Sequence, residues 1–586
     1  MTLAVTALAG ATLAGALGAV AERDTGRGIR LFREGREAER VDFGQLHAEA
    51  GQLACGLLER GVAAGERVGI ALPTSADFAR AFFGVVAAGA VAVPVPPPLR
   101  FASLETHMRR VVVAMRKSRV RVVLSNAMLG ALLEPALAGA GGGELRILDV
   151  AQTASPAAVY ADVAAEAPAL VQYTSGTVES PKGVVLSHAN ILANVAAITE
   201  SIGITDDDVS CNWLPMFHDM GLIGALVTAS LNGIETCLLP PEDFIKDPGR
   251  WLQTISRQRA TLTAAPSTGY LHTLRRTSSE LVRELDLSSW RLALNGAESV
   301  DPDIMREFSG HFAPAGFRPT AFLPVYGLAE GTLAVTSPPA GRPVQSVWVQ
   351  RDLLGQRVVA FTPAGAERAR ELVCVGTPVA GTELRLVADD GTALPEVPAV
   401  GEVQIRGASV TRGYEADGQA GQRQIPDGGW VPTGDLGFRH DGELYITGRK
   451  KEMVIVFGQN HYASDIESAA GRVPGVRPDG VLAASISSAD GEGLVLMVET
   501  RETDHQARAD LVAQIRQAVS SGLGVTPRDV VLVRRGRLPR TSSGKLQRHG
   551  SDALYEELRA QYAAQENQHP KTRALENRAL ADQHGR

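Results

Sequence analysis

Along residues 41–93 the apolar positions switch between two spacings. Residues 43–60, opening with Phe43 and Leu46, follow a helical period, and 67–72 is a short, continuously apolar run. Residues 77–88 return to the helical period, with Phe78, Phe82, Val85 and Val86 on one face, and 89–93 is again apolar throughout. This strand–helix–strand alternation predicts parallel-rich sheets wrapped by helices. The prolines between 94 and 98 break it. A helix over 104–117, a strand over 120–124 and a buried strand around Ala169, Leu170 and Val171 come next, and the alternation persists from 184 to about 335. The glycine run 141–143 reads as a loop, and with no GxGxxG after a strand here a Rossmann dehydrogenase is disfavoured.

Beyond 337 the pattern changes. Residues 337–371 are mixed, and 373–413 looks like β hairpins, with Asp389-Asp390-Gly391 as a turn. From 446 a smaller α+β pattern begins: a strand, a helix over 464–472, strands over 480–484 and 493–500, a helix over 507–521 and a strand over 529–533. The fold class expected is therefore α/β: a large N-terminal domain, 1–447, with a β subdomain, then a small α+β domain, 448–560. Residues 561–586 are polar and are expected to be a disordered tail. The first twenty residues are apolar and alanine-rich. No basic residue precedes Arg23, so they read as a helix packed on the first domain rather than a signal peptide.

Composition narrows the class. The chain has 586 residues, 45% hydrophobic and 21% charged, which fits a globular protein of more than one domain. A net charge of −7 gives no electrostatic case for a nucleic-acid partner. Cys55, Cys211, Cys237 and Cys374 are far apart, with no zinc spacing, which suits a reducing, cytoplasmic setting. No segment is long and apolar enough to span a bilayer.

Chemistry concentrates in a few segments. The apolar run at 169–171 leads into Thr174, Ser175, Gly176 and Thr177, with Lys182 and Gly183 beyond. Flexible backbone, hydroxyl donors and one cation make a phosphate-gripping loop, distinct from a Walker loop because no Gly-Lys-Ser/Thr opens a helix. In Trp213-Leu214-Pro215-Met216-Phe217-His218-Asp219-Met220-Gly221-Leu222 a histidine and an acid sit among apolar residues. They suit either a helix start capped by Asp219 or a gate where His218 orients a carboxylate and the apolar residues hold an acyl tail. The small residues of Asn295-Gly296-Ala297-Glu298 let a flat base approach backbone. In Tyr326-Gly327-Leu328-Ala329-Glu330, Tyr326 can stack on adenine and Glu330 can hold Mg²⁺. Asp435, in a Thr433-Gly434-Asp435 turn, can accept from both ribose hydroxyls or simply close the turn.

Taken in this order, the motifs resemble those of the adenylate-forming superfamily of acyl-CoA synthetases, adenylation domains and luciferases, over roughly residues 25–555. The wording of 213–222 and the proline-rich 93–98 look most like its fatty acyl-AMP ligase branch. The resemblance implies ATP and Mg²⁺ as cofactors and a small C-terminal domain that is mobile about Lys451. It implies a ribose-contacting Arg449 and a catalytic Lys545 in Thr541-Ser542-Ser543-Gly544-Lys545, acting beside Glu330 and His218. Residues 337–371 match the place of an insertion in the branch that loads acyl carrier protein, so a fatty acid and a carrier-protein phosphopantetheine are the implied substrates. Coenzyme A ligases share the same motifs, and a non-catalytic nucleotide-binding homologue is the other alternative. One departure stands out: Val178-Glu179 replaces the family's usual Thr-Gly, removing a hydroxyl and adding a negative charge near the triphosphate.

Overall fold

A computed structural model of the chain describes residues 11–97, 104–139, 145–173, 182–395, 398–415, 422–425, 429–456, 459–488, 491–540, 546–548 and 550–567. The chain divides into two compact units. One comprises Met1–Trp348 and Glu371–Thr447, the other Val349–Arg370 and Gly448–Arg586.

In the first unit, Arg67–Ile70 pairs in parallel with Val91–Pro94 and with Val122–Ser125, inside an eight-stranded sheet. Val68, Ile70, Val91, Val93, Val123 and Leu124 are buried, as strands covered on both faces require. A seven-stranded sheet carries Leu262–Ala265, Leu292–Asn295 and Phe322–Pro324 as parallel neighbours. The helix Phe43–Glu59 is capped by Asp42, whose side chain accepts from Gln45 N at 2.7 Å. Ser75 caps Ala76–Ala87, one residue ahead of the start that periodicity suggested. Both helices bury the apolar faces read from the sequence, and the alternation expected over 41–93 is the alternation found.

Part of the apolar N-terminal stretch forms the helix Leu13–Ala21, with Leu13, Ala16, Leu17 and Val20 buried. Its first backbone N–H donates to Nδ1 of His188, which is itself fully buried at the start of His188–Ile202.

In the second unit, Met453–Val456 and Gln459–Tyr462 form a two-stranded ribbon, followed by the helix Ala463–Gly471. The long strand Val476–Ser488 runs antiparallel to Gly491–Thr500, which pairs in parallel with Asp529–Arg534, and His505–Leu523 packs against this sheet. Of residues 337–371, expected as an insertion of the N-terminal domain, Val349–Arg370 group with the second unit and the ends with the first. The polar stretch from 561 is not structureless throughout, because the helix Ser551–Asn567 extends into it; Tyr555 and Leu558 bury that helix on the sheet. The remainder of that stretch lies outside the described residues.

Burial lowers the His188 pKa to about 4 and keeps the ring a neutral acceptor for Leu13 N. The unfolded chain takes up this proton nearer its ordinary value of about 6.5. Stability should therefore be complete above that pH and fall as pH drops toward about 4, by on the order of 3 kcal/mol. His188→Gln retains an acceptor and removes the titration. Its unfolding free energy from urea melts should decline less than that of the wild type over this window; parallel curves would show that His188 does not carry the proton linkage.

Candidate active site

The strand Pro168–Tyr173 runs into the candidate phosphate loop, and Gly183–Ser187 returns antiparallel to it, with Tyr173 opposite Gly183. Thr174, Ser175, Gly176 and Thr177 lie outside the described residues. At the far end of the loop Lys182 is exposed, its ammonium 5.2 Å from the centre of the Tyr414 ring. Tyr414 comes from Gly413–Glu415, which pairs with the other edge of Gly183–Ser187. Its hydroxyl donates to Glu330 Oε1 at 3.1 Å. Lys182 and Glu330, far apart in sequence, thus meet across one aromatic side chain. Tyr414 is absent from the sequence-based set: an aromatic after a glycine at the end of a hairpin region is too common to stand out.

Glu330 sits in the tight turn Ala329–Gly331, and its carbonyl accepts from Thr411 N at 2.8 Å. Just beyond, Thr332 has φ 69°, a costly conformation for a β-branched residue. Its hydroxyl donates to Ser409 O at 2.6 Å, which helps to hold the strained turn against the segment that carries Tyr414. Gly327 is required by space: a Cβ there would lie 1.8 Å from Leu333 O. Leu328 is buried, and its N–H donates to the same carbonyl.

Leu292–Asn295 and Phe322–Pro324 are parallel neighbours, so Asn295-Gly296-Ala297-Glu298 and Tyr326-Gly327-Leu328 leave the sheet side by side. Val325 N donates to Asn295 O at 2.9 Å. Gly296 approaches Val325 so closely that a Cβ would sit 2.9 Å from its carbonyl oxygen. Ala297 adopts φ 66°, and Glu298 Oε1 accepts from Thr268 N at 2.6 Å. Tyr326 is buried, and its hydroxyl donates to Asp435 Oδ2 at 2.8 Å. Asp435 is buried too, its own N–H donating to Thr433 Oγ1. The structure therefore joins Tyr326 and Asp435, which the sequence offered separately.

At the His218 segment the expected cap is found, and His218 lies against the capping acid. His218 Nδ1 lies 2.6 Å from Asp219 Oδ1, and Asp219 also caps the next helix by accepting from Met220 N at 2.7 Å. That helix, Met220–Val227, is π-helical, a form common at functional sites. Thr228 donates to Ile223 O at 2.7 Å near its end, and Gly221 packs where a Cβ would fall 2.2 Å from Pro215 O. A further unforeseen residue, Gln172, donates to Phe217 O at 2.9 Å and so ties the His218 turn to the strand that leads into the phosphate loop.

Arg449 and Lys451 are exposed and belong to the second unit, just past the crossing at Thr447. Lys545 lies outside the described residues. The chain flanking its loop is closed by a bridge between Arg540 and Leu546. That base is pinned by the fully buried Glu499, which accepts from Gly536 N and Leu538 N at 2.7 and 3.2 Å and pairs with Arg477 at 2.9 Å.

Residues 20–415 match the family model described as AMP-binding enzyme, and 451–565 match the AMP domain of Disco-interacting protein 2-like proteins. The chain is 34% identical over 531 residues to the medium-chain-fatty-acid–[acyl-carrier-protein] ligase JamA of Moorena producens, covering 88% of this chain and 89% of that protein. It is 35% identical to a 4-hydroxyphenylalkanoate adenylyltransferase of Mycobacterium marinum, over 84% and 82% of the two chains. A structure from a study of fatty acyl-adenylate ligases of E. coli and L. pneumophila superposes with a TM-score of 0.87 at 31% identity, covering 94% of this chain and 98% of that one. With the match spanning most of the first unit and the relatives most of the chain, the protein belongs to the AMP-binding enzyme family.

Proposed function

We propose that the protein activates a fatty acid as its acyl-adenylate, consuming ATP, and transfers the acyl group to the phosphopantetheine thiol of an acyl carrier protein for lipid or natural-product biosynthesis. The observation that carries this reading is the linked set Lys182, Tyr414 and Glu330, a cation and a carboxylate held about one aromatic ring beside the candidate phosphate loop. The similarity to a carrier-protein ligase over 88% of the chain supports the choice of acceptor. A cytoplasmic setting is supported by the four cysteines, all free and buried. No helix of the described residues is long and apolar enough to cross a membrane.

In this reading Lys182 and the hydroxyls of 174–177 grip the β- and γ-phosphates. Asn295 to Glu298, with Tyr326, Gly327 and Leu328, flank the adenine, and Asp435 and Arg449 hold the ribose. His218, steadied by Asp219, orients the fatty carboxylate in line with the α-phosphorus. A carboxylate oxygen bonds to that phosphorus as the bond to pyrophosphate breaks, a step that needs positioning and charge neutralisation rather than a covalent nucleophile. Lys545 stabilises the charge that develops. Glu330 suits Mg²⁺, which binds through one or two carboxylates together with substrate phosphates; among the described residues no group of three or more His, Cys, Asp and Glu makes a closed metal cage. Bound there, Mg²⁺ would neutralise phosphate charge. The second unit then turns about Lys451, and the thiol displaces AMP from the acyl carbonyl.

Lys545→Ala should slow adenylate formation about a thousandfold, since a preorganised charge contact lowers the barrier by roughly 3–4 kcal/mol, while circular dichroism stays unchanged. Adenylate formation within threefold of wild type would remove Lys545 from the mechanism. Tyr326→Phe deletes the hydroxyl that orients Asp435; a charge-assisted hydrogen bond of about 1.5–3 kcal/mol predicts a KM for ATP raised at least tenfold, with the fatty-acid KM nearly unchanged. Equal shifts in both constants would mean that the pair only supports the fold. The acceptor is tested by offering ATP, a long-chain fatty acid, coenzyme A and a phosphopantetheinylated carrier protein together. Acyl-carrier thioester with little acyl-CoA is expected. Rapid acyl-CoA synthesis would identify a coenzyme A ligase instead, and absence of ATP–pyrophosphate exchange a non-catalytic homologue.

A further inference from the structure

Tyr414 meets two charges that attract each other, and it meets them with different parts of its side chain. It stands opposite Val184 in an antiparallel pair, so Lys182, two residues from Val184, is its diagonal neighbour on the same face. The Lys182 ammonium is 5.2 Å from the ring centre, within cation–π range. The hydroxyl donates to Glu330 Oε1 at 3.1 Å. Backbone contacts fix the tyrosine between them. Thr411 Oγ1 donates to Val185 O at 2.6 Å, and Thr411 N donates to Glu330 O at 2.8 Å. The segment that carries Tyr414 is thereby tied both to the strand after Lys182 and to the turn of Glu330. All of these residues belong to the first unit.

Without the tyrosine, opposite charges so placed would be drawn together. A direct pair would be unproductive. The cation proposed to hold phosphate would be neutralised by the carboxylate proposed to hold Mg²⁺, and the pair would have to break before Mg·ATP engaged either. Tyr414 satisfies both groups without joining them. The ring face attracts the ammonium and takes none of its donors. The hydroxyl gives the carboxylate one donor, and an ionised carboxylate accepts about four, so it is oriented without being saturated. The following residue, Glu415, already accepts from Arg67, so it is Glu330 whose charge the ring has to separate from Lys182.

We propose that Tyr414 is a positioning residue that keeps Lys182 and Glu330 apart: its ring holds the cation and its hydroxyl the carboxylate, so that both meet Mg·ATP unpaired with each other. The inference rests on the adenylating reading above. It is tested on the full-length protein without fatty acid, by calorimetric titration with ATP, once in EDTA and once with saturating Mg²⁺. Binding in EDTA reads the availability of Lys182, and the gain on adding Mg²⁺ reads Glu330. A partly exposed ion pair shifts an equilibrium by up to about fivefold. Tyr414→Leu lets the two charges pair and should weaken ATP binding in EDTA about threefold. In a Glu330→Gln background, where the competing carboxylate is gone, the same substitution should cost less than about 1.5-fold, a non-additivity that mere damage to the strand does not produce. Tyr414→Phe keeps the ring, so binding in EDTA should stay within about 1.5-fold of wild type while the gain from Mg²⁺ falls at least threefold. Equal cost of Tyr414→Leu in both backgrounds overturns the proposal, as does an unchanged Mg²⁺ gain in Tyr414→Phe. A wild type that binds Mg·ATP but not ATP in EDTA has no separable lysine grip and overturns it too. A wild type that binds no Mg·ATP marks the failure of the adenylating reading itself and takes the role of Tyr414 with it.

Discussion

The strand Gly183–Ser187 is hydrogen-bonded on one side to Pro168–Tyr173 and on the other to Gly413–Glu415. Its first residue must be small: a Cβ on Gly183 would lie 2.9 Å from Val171 and 3.2 Å from both Tyr173 and Glu415. This close three-strand contact brings Lys182 beside Tyr414, and through Tyr414 beside Glu330. Glu330 in turn sits in a turn whose carbonyl is held by Thr411 N, two residues before Gly413. Removing the pairing of Gly413–Glu415 would therefore part the cation from the carboxylate. The candidate site depends on this lateral packing of backbone before it depends on any side chain.

Around that packing the turns are tightly packed and locally strained. Thr332 and Ala297 both hold positive φ, and Gly327, Gly296 and Gly221 each face a neighbouring backbone with no room for a Cβ. Strain of this kind costs on the order of 1–3 kcal/mol per residue and persists only where surrounding contacts over-determine the backbone. Here those contacts are the Thr332–Ser409 hydrogen bond, the Asn295–Val325 pairing and the burial of Tyr326 and Asp435. Fixed turns suit a reaction whose catalysis is mostly positioning, because the donors then need not reorganise when charge develops.

What was legible in the chain follows from the range of each interaction. The helices 43–60 and 77–88 and the strand around 169–171 announce themselves because cap, period and burial are all local. The small unit could be read for the same reason: its helices over 464–472 and 507–521 match Ala463–Gly471 and His505–Leu523 within two residues at each end. Tyr414 and Gln172 could not be read, because their meaning lies in partners 84 and 45 residues away that no periodicity points to. The π-helical turn at Met220–Val227 leaves the same apolar signature as an ordinary helix. The attachment of 349–370 was hidden for another reason. Arg351, Arg370 and Asp465, whose ion pairs tie that segment to the helix Ala463–Gly471, look like ordinary surface charge until they are seen together.

The charges near Lys182 are sorted in a way that bears on its use. Arg67 donates to Glu415 Oε1 from both Nε and Nη2, at 3.1 and 3.0 Å, so the carboxylate next to Tyr414 on that strand is already engaged. Glu330 receives the Tyr414 hydroxyl. What these pairs leave for Lys182 is the face of the Tyr414 ring. A cation–π contact at an exposed site contributes only about 0.5–1 kcal/mol, so the phosphate contact proposed for Lys182 would give up little. A lysine paired directly with Glu415 would have to surrender a salt bridge first, and the freed carboxylate would then repel the same phosphate. By occupying Glu415, Arg67 leaves Lys182 against the Tyr414 ring, where the proposed phosphate contact would not require a salt bridge to break first.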